Sequence, residues 1–419
     1  MNGHVNVEIW TDESLYDLAE WQNGLAFKNI DFSDSGKPVI KIAELKNGIT
    51  KQTARTNAEY RPSVHVSKGD LLFSWSGNPD TSIDVFVWRG EDGWLNQHIF
   101  KVTPREDVDP DFLFFLLRWL RPTFAEIARN KQTTGLGHVT VRDLKATRVL
   151  LPPLSHQLAI VRAIGPYERK IDLNAQMSDT LECMAKAVFR DWFVDFGPVR
   201  RKMDGATDPV KIMGGLVFEK AQAEYLTALF PDDLSSKGIP SGWSIEALEG
   251  ALTLAYGKAL PKTARIEGPV PVYGSGGVGG SHDLALVQGP GIIVGRKGTI
   301  GSLFWEAGDF YAIDTVFYVQ PKAGFSLEYL WQLLRTLSLE KMNTDAAVPG
   351  LNRNNAYRLE VVLSDQPVRD AFTAIAGLLR NRIDVAEREA RTLIETRDYL
   401  LPRLMTGQVT ITAAPQAID

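Results

Sequence analysis

Residues 160–192 read IVRAIGPYERKIDLNAQMSDTLECMAKAVFRDW, and residues 372–404 read FTAIAGLLRNRIDVAEREARTLIETRDYLLPRL. Each carries an apolar ladder in alternating steps of four and three. The first is Ile160, Ile164, Tyr167, Ile171, Asn174, Ser178, Leu181, Ala185, Val188 and Trp192. The second is Phe372, Ala376, Leu379, Ile383, Ala386, Ala390, Leu393, Arg397, Leu400 and Leu404. Those steps are the seam of a coiled-coil helix, so two long helices with matching stripes are expected to bury them against each other. A single offset of 212 residues relates the ladders, and it also superposes Lys170-Ile171-Asp172 on Arg382-Ile383-Asp384 and Thr180-Leu181 on Thr392-Leu393. The chain repeats itself.

Working outward, the segments before each helix repeat as well. Residues 111–118 (DFLFFLLR) match 328–335 (EYLWQLLR), and 95–104 (LNQHIFKVTP) match 312–321 (AIDTVFYVQP), both at an offset of 217. Residues 70–77 (DLLFSWSG) match 291–298 (GIIVGRKG) at 221. Drifting offsets with unchanged order are what loop insertions in a tandem duplication leave behind. The 111–118 and 328–335 segments read as amphipathic helices. Val85-Phe86-Val87-Trp88 and Thr315-Val316-Phe317-Tyr318, set between Gly, Pro and Asn, read as strands. The expected fold is mixed α+β: two globular units joined by two long antiparallel coiled-coil helices, with pseudo-two-fold internal duplication. Gly165-Pro166 falls inside the first ladder, so its uninterrupted helix is expected from about Pro166 to Phe193. A helix of about 30 residues spans on the order of 45 Å, which suits a spacer between two readers.

With 419 residues, 44% of them hydrophobic and 23% charged, the chain has room for two or three cores. The apolar run Phe112 to Leu117 reads as a buried helix, and no run approaches the length of a membrane span. A single cysteine, Cys183, rules out an internal disulfide and is expected to pack on the first helix; no Cys/His set has zinc spacing. The N-terminus lacks a basic-then-apolar leader, so a cytoplasmic location is expected. Net charge is −5, and neither half is basic: residues 1–150 hold 18 basic against 20 acidic side chains, and residues 240–360 hold 10 against 11. This argues against nonspecific coating of nucleic acid, so DNA binding would have to rest on local patches.

Several stretches resemble a known family. Leu151 to Leu154 (LPPL), Gln157, Ile171-Asp172, Asn174, Thr180-Leu181-Glu182, Met184-Ala185, Phe189, Trp192-Phe193, Asp195-Phe196 and Pro198-Val199 resemble the central region of Type I restriction-modification specificity subunits. Residues 397–404 (RDYLLPRL) with Gly407 resemble their C-terminal region. His156 departs from the acidic residue common after LPPL, and Gly165-Pro166 departs from a helix that is usually smooth. The resemblance implies a non-catalytic DNA-binding subunit with two target-recognition domains reading a bipartite, asymmetric site. It implies docking of modification subunits (adenine-N6 methyltransferases, two by the pseudo-symmetry) and of restriction subunits. S-adenosylmethionine, ATP and Mg²⁺ would then belong to those partners alone. The expected boundaries are 1–150 for the first recognition domain, 151–196 for the central helical spacer and 197–242 for a connector. The second recognition domain is expected at 243–362, the C-terminal helical spacer at 363–408 and a tail at 409–419.

Candidate DNA contacts are polar, Gly-rich loops, where flexible backbone can approach a groove. In the first unit these supply Trp75, Ser76, Asn78, Gln132, Thr133, Thr134 and His138, with Lys46, Lys51 and Arg55 as a loose basic stretch. In the second they supply Tyr273, Ser275, Arg296, Lys297, Thr299, Asn352, Arg353 and Asn354. Arg296-Lys297 between glycines reads as a phosphate clamp or a guanine reader, and Trp75 and Tyr273 as stacking platforms; surface turns and ordinary core aromatics are the competing readings. Partner docking and the helix seam fall to Ile164, Tyr167, Ile171, Leu181, Val188, Trp192, Phe372, Leu379, Ile383, Leu393, Leu400 and Leu404. Two rivals exist. Asp34 with Glu44-Leu45-Lys46 has roughly the spacing of a metal-dependent nuclease, but Pro152-Pro153 between leucines is no methyltransferase motif. A scaffold without DNA reading would need no second copy of a reader.

Overall fold

The computed structural model describes residues 10–28, 31–131, 136–217, 219–343, 350–409 and 411. The chain divides into two compact units, residues 1–172 with 390–419 and residues 173–389.

In the first unit, β1 (Thr11–Ser14) leads to a four-stranded antiparallel sheet built from β2 (Ala19–Asn23), β3 (Leu71–Ser74), β5 (Asp84–Val87) and β6 (Ile99–Pro104). Its order is β2-β6-β3-β5. Between β3 and β5 lies the short β4 (Ser76–Gly77), which pairs with β7 (Gly137–His138). Every residue of the inner strand β3 is buried, as the unbroken apolar run 71–73 requires. Helix α1 (Pro110–Trp119) covers the sheet. Asp109 caps it, accepting from the amides of Asp111 and Phe112, and Pro110 sits where no amide is needed. Its residues 112–117 are all buried, as the sequence led us to expect. A short helix α2 (Val141–Ala146) and β8 (Arg148–Leu151) follow, and β8 pairs with β1 before the chain enters the long helix α3 (Leu154–Phe193).

The second unit repeats this plan. β9 (Ser244–Ala247) precedes a sheet of β10 (Leu252–Tyr256), β11 (Gly291–Gly295), β12 (Leu303–Glu306) and β13 (Val316–Pro321), in the order β10-β13-β11-β12. Helix α4 (Leu327–Thr336) takes the place of α1 and buries Tyr329, Leu330, Leu333 and Leu334. Then come α5 (Arg353–Tyr357), β14 (Glu360–Leu363) paired with β9, and the second long helix α6 (Gln366–Met405). Segment 197–242, read as a connector, folds into helices Gly197–Met203, Pro209–Ile212 and Lys220–Leu229. Its Val199, Ile212, Met213, Ala223 and Leu226 are buried, most of them in one cluster with Trp192, Phe196 and Phe230.

The long helices pack against each other antiparallel within each unit. In the first, Ile160 and Ile164 of α3 share a core with Leu401, Leu404 and Met405 of α6. In the second, Phe189 and Phe193 stand edge-on to Phe372, with ring centroids 5.4 Å apart in both pairs. Of the seam residues, Ile164, Val188, Trp192, Phe372, Ile383 and Leu404 are buried, and Tyr167, Ile171, Leu181, Leu379, Leu393 and Leu400 half-buried. Asn174 is buried within the seam and donates to the Ala386 carbonyl (3.2 Å) and to Glu389 (2.9 Å). Ala386 is its own counterpart in the repeat, so the two helices meet through equivalent positions.

Two expectations need correction. Helix α3 runs through Gly165-Pro166 from Leu154 instead of starting at about Pro166. Proline removes the bond to the carbonyl four residues back, but Pro166 faces outward, and buried Ile160 and Ile164 tie the preceding turns to the core. Cys183 is exposed, since it lies beside the buried stripe and not on it.

Candidate nucleic-acid interface

The residue that follows the inner strand occupies the same backbone environment in both units. In the first unit it is Trp75: its amide donates to the His98 carbonyl (3.2 Å) and its carbonyl accepts from Val139 (2.8 Å). In the second it is Arg296: its amide donates to Thr315 (2.9 Å) and its carbonyl accepts from Leu351 (2.8 Å). The last residue of the first sheet strand closes the side. Asn23 accepts from the Trp75 indole (3.1 Å), and the Tyr256 ring lies 4.8 Å from the Arg296 guanidinium. Backbone is thus repeated while side chains differ.

Around Trp75 the groups are aromatic. His98, Phe100 and His138 have ring centroids 5.7, 5.7 and 5.8 Å from it, and His138 shares a hydrogen bond with Ser76 (2.9 Å). Burial, and then the nearby charge of His138, holds the His98 imidazole below the usual histidine range. Asn78 is exposed, and its side-chain oxygen accepts from the amides of Asp80 and Thr81 in the turn that follows it. Trp75, Ser76, Asn78 and His138 therefore belong to one locality, yet Trp75 is half-buried packing more than an open stacking platform. Ser76 and His138 lie on the paired strands β4 and β7, not in loops. Gln132, Thr133 and Thr134 lie outside the described residues.

The basic stretch does not join that locality as one patch. Lys46 is exposed and lines a groove of about 650 Å³ with Arg89, Arg118, Glu168 and Asp172. Lys51 and Arg55 edge a separate depression with Phe32 and Asp34. Arg55 is committed to Glu91 (2.6 Å) and to the Gly36 carbonyl (2.7 Å). Glu44, the acid of the nuclease reading, is buried and accepts from the Lys41 amide (3.1 Å) as a helix cap. No group of three metal-ligating side chains occurs among the described residues.

In the second unit the candidates converge. Lys297 bridges to Gly350, which brings the 295–299 turn beside the start of α5. Ser275 borders the same turn, for its hydroxyl lies 3.2 Å from where a Cβ on Gly298 would stand. Gly298 has φ +82°, so the turn depends on glycine there. Lys297 and Thr299 are exposed. The Asn352-Asn355 stretch is a helix start, not a loop: Asn352 caps α5 by accepting from the amides of Asn354 and Asn355, leaving Asn354 exposed. Arg353, half-buried, lies 4.7 Å from the Tyr256 ring on which Arg296 also stacks. Tyr273, expected to stack on a base, is buried in a β-hairpin and donates its hydroxyl to Glu306 (2.9 Å). The glycine-rich 273–281 stretch is that hairpin. Sequence reasoning missed Tyr256; the signal was the alignment of β10 on β2, which pairs it with Asn23.

Comparison with known proteins bears on the family and the fold. A family model described as a Type I restriction modification DNA specificity domain matches residues 8–183. The HindI specificity subunit of Haemophilus influenzae is 25% identical, covering 82% of this chain and 87% of that protein. The MjaIX specificity subunit of Methanocaldococcus jannaschii is 20% identical over 96% and 94%. Among solved structures, a Type-I restriction-modification system S subunit from M. genitalium shares the fold, with a TM-score of 0.53 and 16% identity over 96% of this chain and 97% of that one.

Proposed function

We propose that the chain is a Type I restriction-modification specificity subunit, as the match over residues 8–183 and the relatives aligned along most of its length support, and that its two units each read one half of a bipartite, asymmetric DNA site. A specificity subunit of this kind recognises DNA sequence and carries no catalytic centre. The observation that supports the bipartite reading is the position after the inner strand, where one backbone frame carries Trp75 with Asn23 in one unit and Arg296 with Tyr256 in the other. One frame with two chemistries is what two readers of different sequences need.

In this reading the paired helices α3 and α6 fix the unread gap and present a face to two modification subunits, with restriction subunits joining them. S-adenosylmethionine, ATP and Mg²⁺ would be bound by those partners. No helix among the described residues is long and apolar enough to cross a membrane. The test is long-read sequencing of adenine methylation in cells with and without this chain, alongside its modification subunit. A two-part motif with a fixed gap that disappears with the chain is expected. Unchanged methylation beside an active methyltransferase would leave a scaffold.

A further inference from the structure

We infer that Tyr256 is a positioning residue that holds Arg296 and Arg353 as a paired guanidinium reader, and that the half-site read by the second unit therefore contains guanine. This rests on the proposed reading of a bipartite site.

Tyr256 ends β10 and is 46% exposed, so the site it forms with its two neighbouring arginines opens to solvent. The Arg296 and Arg353 guanidiniums lie 4.8 and 4.7 Å from the ring centroid. Each has a further aromatic neighbour, Phe317 at 5.7 Å for Arg296 and Tyr357 at 5.7 Å for Arg353. Tyr357 is itself fixed, because its hydroxyl accepts from the Leu254 amide (2.9 Å). A free arginine loses much rotamer freedom when it grips a ligand, and prior stacking removes part of that cost.

Arg296 gives one bond, to the Asp314 carbonyl (3.1 Å), and among the described residues no acceptor meets Arg353, whose Nε is buried without a partner. Neither arginine has a carboxylate partner there, whereas Arg55, Arg105, Arg118, Arg335 and Arg397 all do. Two cations kept together without an acid point to an acidic ligand or to an acceptor edge such as guanine O6 and N7.

Repeat equivalence decides between phosphate and base. The DNA backbone is the same for every sequence, so a phosphate clamp would serve both units and would keep its cations at both equivalent places. The first unit instead has Asn23 and Trp75 where the second has Tyr256 and Arg296. A position that changes chemistry between two otherwise repeated readers is a position that reads sequence.

The test is the methylation motif written by the full chain with its modification subunit, for the natural chain and for Arg353→Gln, Arg296→Gln, Tyr256→Leu and Tyr256→Phe. The natural motif is expected to hold guanine in one half-site. Either glutamine variant should relax that guanine alone, lowering its preference by about 10- to 100-fold and leaving the other half-site unchanged. Tyr256→Leu should produce the same relaxation, and Tyr256→Phe should restore the motif. Reduced methylation at every site with an unaltered motif would identify a phosphate clamp or simple misfolding, and would overturn the inference. Absence of any two-part motif from the natural chain would instead remove the specificity reading beneath it.

Discussion

At the scale of single residues, Trp75 and His98 show how a reading position is built from core chemistry. The His98 ring is kept neutral by burial, reinforced by His138, so its folded-state pKa lies below its unfolded value. A depressed histidine contributes stability that is fully present above the unfolded pKa, near 6.5, and is lost as pH falls towards the folded value. Unfolding midpoints of the natural chain should therefore fall as pH drops below about 6.5. His98→Asn should flatten that slope, and an unchanged slope would acquit His98. His138, Trp75 and Ser76 were legible as candidates because they sat in polar, Gly-rich stretches, and His98 was not. Their mutual packing was not, since Gly77 and Gly137 pair only after β4 and β7 find each other across 60 residues of chain.

At the scale of elements, in each unit one carboxylate of α3 is shared between two arginines, one of them on α6. In the first unit Glu168 of α3 takes Arg118 of α1 and Arg397 of α6, both at 2.6 Å. In the second, Glu182 of α3 takes Arg335 of α4, with Arg380 of α6 3.6 Å away; the Trp331 indole (2.8 Å) and Gln332 amide (2.9 Å) also donate to it. Arg118 and Arg335 are repeat equivalents. Glu182→Gln would leave the partly buried Arg335 without its carboxylate, while Arg380 keeps Asp384 and Glu387, and a loss on the order of 2 kcal/mol is expected by chemical denaturation. A loss under about 0.5 kcal/mol would mark the cluster as solvent-screened. Pro166 gives the opposite sign. Pro166→Ala supplies the missing helix bond at an exposed site, so stability should rise by about 1–3 kcal/mol in the same measurement. A drop would mean that α3 needs its proline. The heptad steps announced both helices, but nothing local announced that the one before Pro166 would continue. Burial of Ile160 and Ile164 decided it, and that is a tertiary quantity.

At the scale of the whole molecule, a net charge of −5 sets the terms of DNA binding. Phosphate neutralisation supplies most nonspecific affinity, and this chain has no basic excess to supply it. The isolated chain should bind a duplex carrying its site with a Kd of about 1 µM or weaker near 0.15 M salt, tightening at least about 100-fold when the modification subunit is added. Fluorescence anisotropy with labelled duplex checks both numbers. Nanomolar binding by the chain alone would show that its local patches suffice.

What the amino-acid order determined by itself was the duplication, the two apolar ladders, the amphipathic helices α1 and α4, and the family resemblance. All rest on short-range periodicity or on recurring strings, which survive without knowledge of distant partners. What only the tertiary structure decided was the fate of individual side chains. Tyr273 became core because it packs with Ile293, Phe310 and Val316 and its hydroxyl meets Glu306 on a strand of another sheet, and Arg55 was claimed by Glu91. Tyr256 gained Arg296 and Arg353 from positions 40 and 97 residues away in the sequence. Such meetings depend on strand pairing between distant segments, and a residue's type does not encode which neighbour the sheet will bring to it.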